Sequence, residues 1–395
     1  METQKPFAPL NPLGDLTKHG IALAGLVIAG LVLGSEMAEA SELELRYDNG
    51  ISASHVVNSG INQFIDELEE KSDGEISATH YYGALQSVVE ASAGLREGIL
   101  DMGSIFPQYL PAEFPINNFI TEVPGVAKTS AIMTGANTEF VLLHCESCLA
   151  EFVEQNQLPL IMFANPTYQL ILGGDDEVHV SGDVAGMKLR SGGNYFRAWI
   201  EHFGGIAVSI PGAEIFEGLN SGIIDGTVGV LPDVTGFGIE ELVKSVTMVD
   251  VGTFHNGVFF GIRHDLWKSM SEERRALVLD LAVKGQALSS VNTDKEVKRV
   301  IEEVLPRSNV TINEPDQDFL DAQDEFVEAQ ITNASTTARD TRGIEGAESL
   351  AREFVDITRK WTALVEEIDA NDADQVAQLY LDEIYSKIDI SDFGM

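Results

Sequence analysis

Basic residues are scarce in this chain: Lys and Arg number 25 against 63 Asp and Glu, giving a formal net charge of −38 over 395 residues. A surface of that sign repels nucleic acid and anionic lipid, so neither is an expected partner. Long apolar runs are equally scarce. The one extended run is residues 21–34, IALAGLVIAGLVLG, preceded by Lys18 and His19 and followed by SEMAEA, where Ala38 and Ala40 form a small-x-small cleavage pattern. A membrane span needs about 20 residues and this run is shorter, so residues 1–40 read as a secretory signal cleaved near Ala40. Export to the periplasm follows, and nothing later in the chain is apolar enough for stable membrane insertion. The chain also lacks a GxSxG, an HExxH and a P-loop, and none of its eight histidines pairs visibly with a nucleophile. No catalytic residue, metal site or cofactor is assigned. Carboxylate chemistry needs only two acids, however, so a secreted enzyme acting on a small carboxylate stays in view as a rival reading.

Cysteine is confined to HCESC, as Cys145 and Cys148. In an oxidising compartment the pair suits a disulfide, a redox dithiol or, with His144, part of a metal site. The surrounding TGANTEFVLLHCESCLAEFVEQNQ reads as helix well before Cys145. That places the pair late in a helix, where residues three apart lie within a disulfide's span and the dipole does not favour a thiolate. Leu149 stands where a haem-attachment motif needs histidine. A structural disulfide or inert thiols is the favoured reading. DANDADQ (369–375) has Ala373 and Gln375 where an EF-hand needs a ligand and a glycine, and reads as a solvated helix connection.

What is present is an alternation of strands and helices. Period-two stretches at 43–50, 75–83 and 100–106 are separated by helical patterns at 55–74 and 87–99, which is βαβαβ and predicts a parallel sheet. A second round begins after the cysteine helix, with a strand-rich stretch at 158–174, a strand end at 187–193, strands at 206–210 and 223–231 and helices at 194–204 and 211–222. Residues 254–267 read as a strand returning to the first lobe, and helices dominate from 271 onward. In GMKLRSGG (186–193), Met187 and Leu189 facing a core would turn Lys188 and Arg190 the other way, at a strand end where α/β sheets bind ligands.

Five stretches in order carry a resemblance: LELRYDNG with the helix after it, LREGILDMGS, GDVAGMKLRSGG, GIAVSIPGAEIFEGLNSGIIDG and FHNGVFFGIRHDLWKSMSEERR. Over residues 43–305 the chain resembles the substrate-binding proteins of tripartite ATP-independent periplasmic (TRAP) transporters, the group of dicarboxylate and sialic acid receptors. The resemblance implies an α/β, type II periplasmic-binding-protein fold: two lobes, hinge strands, a long bracing helix and a helical C-terminal extension. It divides the chain into the signal (1–40), lobe 1 (41–165), lobe 2 (166–253), a return to lobe 1 with the bracing helix (254–305), and C-terminal helices packing on the lobes (306–395). It implies an organic-acid ligand and TRAP membrane subunits as partners; a ligand-sensing binding protein is the other non-catalytic reading.

The resemblance assigns Arg190 the ligand's carboxylate, and guanidinium–carboxylate geometry agrees. Two positions depart from the family. Tyr168 stands where many relatives have a second arginine, and Gly229 where a ligand-binding asparagine is common, which points to a monocarboxylate with an apolar or aromatic body. The remaining candidates sit at strand ends: Asn49, His55, Phe106, Tyr109, Asn194, Phe216, His255 and Asn256.

Overall fold

The computed structural model describes residues 42–395, and the signal-like stretch 1–40 lies outside them. Lobe 1 opens with β1 (Leu43–Asp48), whose Leu45 and Tyr47 are fully buried. Helix α1 (Asn58–Lys71) buries Ile61, Phe64 and Leu68, the spacing of one helical face. After it come β2 (Ile76–His80), α2 (Ala91–Arg96) and β3 (Met102–Ile105). Both β2 and β3 lie parallel to β1, as two βαβ crossovers require. Helices α3 (Pro115–Ile120), α4 (Ser130–Glu139) and α5 (Glu146–Glu154) lead to the short strand β4 (Gln157–Pro159).

Lobe 2 is built from β5 (Thr167–Leu172), β6 (Lys188–Ser191), α6 (Asn194–His202), β7 (Ile206–Ser209), α7 (Ile215–Ser221), β8 (Gly226–Gly229), α8 (Pro232–Gly236) and β9 (Ser245–Thr253). Strand β10 (Val258–Arg263) then re-enters the first sheet, antiparallel to β3 and β4. Helices α9 (His264–Ser269), α10 (Glu272–Arg299) and α11 (Leu305–Arg307) follow, then β11 (Thr311–Asn313), α12 (Gln317–Arg342), α13 (Ala347–Glu366) and α14 (Ala373–Glu383). The sheet orders are β2-β1-β3-β10-β4 and β11-β9-β5-β8-β6-β7. The stretch 306–395 is therefore not wholly helical: β11 completes lobe 2 at its outer edge, parallel to β9. Alternation along β5 splits the second core. Leu170 and Leu172 join the large core continuous with lobe 1, while Ile171 faces a separate cluster that includes Ile215, Val246, Val300 and Val304.

Two segments, 160–166 and 254–257, cross between the sheets side by side. Phe163 and Gly257 bridge their backbones, and the Asn165 N–H donates to the Phe254 carbonyl over 2.9 Å. Within the second crossing, Asn256 takes φ of 65°, a left-handed conformation asparagine tolerates better than most residues.

Helix α10 begins with Ser271 accepting from the Arg274 N–H. At mid-length it meets α1 backbone to backbone: a Cβ on Gly60 would stand 1.7 Å from the Gly285 carbonyl oxygen, so only glycine fits there. Its far end reaches lobe 2, where the Thr235 hydroxyl donates to Glu296 over 2.6 Å. The C-terminal helices pack on both lobes: Phe319 and Phe326 of α12 lie against Trp199 of α6 and Phe203 just after it, while α13 and α14 pack on lobe 1. Trp361 of α13 lies over Gly135 and donates to Glu139, and Tyr380 of α14 donates to the Ala131 carbonyl. No described helix is long and apolar enough to cross a membrane.

The cysteine pair departs from the expected position. The helix does not run through: α4 ends at Glu139, a π turn spans Phe140–His144, and Cys145 leaves helical space at φ −128° and ψ 77°. Cys145 caps α5, its sulfur accepting from the Cys148 N–H, and the two are joined in a buried disulfide with Cα atoms 5.2 Å apart. The pair thus stands at a helix start, not late in a helix. A sequence helical in pattern throughout gave no sign of that break. Among the described residues no group of His, Cys, Asp and Glu is arranged to hold a metal ion.

Candidate functional site

Between the lobes lies a cavity of roughly 700 Å³, its open mouth included, lined from both sheets and from the crossing segments. Its lobe 1 wall is shaped by a turn. The Asp48 carboxylate accepts N–H bonds from Gly50, Gly83, Leu85 and Gln86, and so ties the loop after β1 to the loop after β2. Gly50 sits there at φ 69°, where a Cβ would be 2.2 Å from the Val88 nitrogen. The floor is aromatic: Phe259 packs on Phe106 and Phe163 with ring centroids 5.5 and 4.4 Å away, and Phe254 lies 6.0 Å from Phe106.

Lobe 2 supplies the charge. Arg190, on β6 between Val208 of β7 and Thr227 of β8, is 5% exposed. Its Nε donates to the Ile210 carbonyl over 3.0 Å, fixing the plane of the guanidinium. The two terminal nitrogens find no protein acceptor among the described residues and line the cavity. The paired glycines now have a reason. A Cβ on Gly192 would lie 2.9 Å from Nη1 and 3.2 Å from Nη2, so a side chain there would displace the guanidinium. Beside it Tyr168 stacks on Phe196 at 4.2 Å, and its hydroxyl accepts from Asn165 over 3.0 Å. Burial holds that hydroxyl's pKa well above its usual value; Asp233 adds to the shift and Arg190 opposes it.

Asp233, in the first turn of α8, is 7% exposed and lines the same cavity. Across the cleft, His55 Nδ1 accepts from the Val57 N–H, which leaves Nε2 toward Asp233 Oδ1 at 3.7 Å. The His55 ring also presses on α8. Its centroid lies 5.3 Å from that of Phe237, and a Cβ on Gly236 would be 2.4 Å from its Cδ2.

Of the sequence candidates, the structure brings Arg190, Tyr168, His55, Phe106 and Tyr109 together on the cavity wall. The other six stand elsewhere. Asn49 is fully buried, bonded to Asn58 and to the Ile51 N–H. His255 faces the Thr253 and Ile120 carbonyls and stacks on Phe354 of α13; burial pushes its pKa down to about 4. Asn256 donates to Asn117, holding the crossing segment to α3. Asn194 donates to Glu122 Oε1 over 2.7 Å, an oxygen that also takes Arg342 Nη2, so it joins lobe 2 to lobe 1 and α12 instead of facing the cavity. Phe216 is 44% exposed on α7 and is not among the cavity residues. Gly229 acts through what it leaves open, since a Cβ there would be 3.2 Å from Asp233 Oδ2. Sequence reasoning missed Asp233, Gln108, Asn165, Phe237 and Phe254. Only the position of LPD directly after β8 offered a signal for the first of these.

The family model described as DctP, bacterial extracellular solute-binding protein, family 7, matches residues 49–336. A solute-binding protein of Albidiferax ferrireducens is 25% identical over 195 residues, 49% of this chain, and the match spans little more than half of that relative, 56%. Among solved structures, a marine metagenome TRAP solute-binding protein specific for aromatic acid ligands, from an unidentified microbe and holding 3-hydroxybenzoate, superposes with a TM-score of 0.72 at 20% identity. It covers 82% of this chain and 99% of its own. The sugar acid binding protein of Advenella mimigardefordensis, with galactonate, gives 0.68 at 16% identity, covering 80% and 100%.

Proposed function

The chain belongs to family 7 of the bacterial extracellular solute-binding proteins, and on that footing we propose that it is a periplasmic receptor that captures an organic monocarboxylate and delivers it to TRAP-type membrane subunits. The observation that carries the reading is Arg190: a buried guanidinium oriented by Ile210, given room by Gly192, and left with two unpaired nitrogens facing a cavity at the lobe junction. A buried charge without a partner is costly, and a carboxylate arriving with two parallel acceptors relieves that cost. Binding favours the arrangement in which both lobes surround the ligand.

Two features favour one carboxylate and an apolar body. Among the described residues Arg190 is the only Lys or Arg on the cavity wall, and Asp233 repels a second anionic group. The aromatic floor suits a ring, as in the relative that holds 3-hydroxybenzoate. The test is calorimetric titration of the protein with aromatic monocarboxylates, succinate and sialate. Aromatic monocarboxylates should bind most tightly; binding of succinate or sialate alone would overturn the assignment.

A further inference from the structure

The cavity contains two buried ions of opposite sign that do not neutralise each other. Arg190 and Asp233 both line it, yet no ion pair joins them, and the Asp233 carboxylate accepts no hydrogen bond from any described residue. His55 Nε2 stops 3.7 Å from Asp233 Oδ1, beyond hydrogen-bond reach. An acid held by Arg190 satisfies one end of this arrangement and leaves the other open. Gly229 shows that the second end is built in. Where the resemblance puts a ligand-binding asparagine, this chain has no side chain, and the space beside it is taken by Asp233 Oδ2.

We propose that Asp233 is a specificity residue that accepts a hydrogen bond from a hydroxyl or ammonium group of the ligand, so that the protein selects acids carrying a donor at the end away from the carboxylate. This rests on the reading that Arg190 binds the carboxylate. The aromatic side chains between the poles contact the body of such a molecule, and neither pole can exchange partners: Asp233 repels the carboxylate and Arg190 repels an ammonium. A ligand lacking the donor leaves a buried carboxylate unpaired. A site built to bond a polar substituent rejects the analogue without it more strongly than an apolar pocket rejects a misfit.

The experiment compares phenylacetate with its three ring-hydroxylated isomers and with the aminomethylbenzoates, by calorimetry, in the wild-type protein, Asp233→Ala, Asp233→Asn and Arg190→Ala. At least one donor-bearing acid should bind the wild type tenfold or more tightly than phenylacetate. Asp233→Ala should erase that preference and tighten phenylacetate by removing a like charge; Asp233→Asn should retain part of a hydroxyl preference and lose an ammonium preference. Equal binding of all the acids by the wild type, or a preference unchanged in Asp233→Ala, overturns the proposal while leaving the carboxylate reading intact. Failure of every acid to bind, or binding indifferent to Arg190→Ala, overturns both.

Discussion

Several buried polar side chains of lobe 1 and the crossings are bonded within the protein: Asn49 to Asn58, the Asn256 amide N–H to Asn117, His255 through its one ring N–H to a backbone carbonyl, and Asp48 to four backbone N–H groups. On lobe 2, Arg190 and Asp233 are also buried, at 5% and 7% exposure, but among the described residues the terminal nitrogens of the one have no acceptor and the carboxylate of the other accepts no hydrogen bond. On the proposed function, lobe 1 offers the ligand shape and apolar area, while lobe 2 reads its charge.

That contrast is open to test. Arg190→Ala should cost about 2–5 kcal/mol of acid binding, a loss of roughly thirtyfold to several thousandfold, with the ligand-free melting temperature nearly unchanged; a large drop in melting temperature would put Arg190 among the structural groups. His255 should behave in the opposite way. Its folded-state pKa of about 4 lies below the ordinary 6.5, so the folded protein binds fewer protons between those values. Its contribution is complete above about pH 6.5 and is lost as pH falls toward 4, on the order of 3 kcal/mol at most. Denaturant melts across that range should show the loss, and His255→Gln should flatten the slope. Replacing both Cys145 and Cys148 by Ser should lower stability by about 2 kcal/mol through the short loop they close, with acid affinity unchanged in calorimetry. Gly192→Ala is the finest probe: the added methyl pushes on the guanidinium of Arg190, so affinity should fall about tenfold, or ~1.4 kcal/mol, at constant thermal stability.

The alternation of strands and helices was legible in the sequence because burial on one face imposes period two or 3.6, and β1, α1, β3 and β6 lie where that pattern places them. Arg190 was legible for a local reason, a cation at a strand end followed by glycines. The six candidates that stand away from the cavity wall share another cause. A polar residue at a strand end looks the same in sequence whether its partner is a ligand or a backbone carbonyl on a distant segment, as His255 and Ile120 illustrate. Asp233 was invisible because its environment is made by His55, distant in sequence and on the other lobe. The break at Cys145 hid within a continuous helical pattern.

The close contact of Gly60 with Gly285 makes α10 a lever with a fixed pivot. From Gly285 to Arg299 the arm is about 21 Å at 1.5 Å per residue, so a tilt of roughly 5° at the glycines would move its lobe 2 end by about 2 Å. Glu296 near that end holds α8 through Thr235, and α8 carries Asp233. The smallest side chains in the helix pair therefore set how closely α10 lies on lobe 1 before it reaches the helix that carries the charged wall.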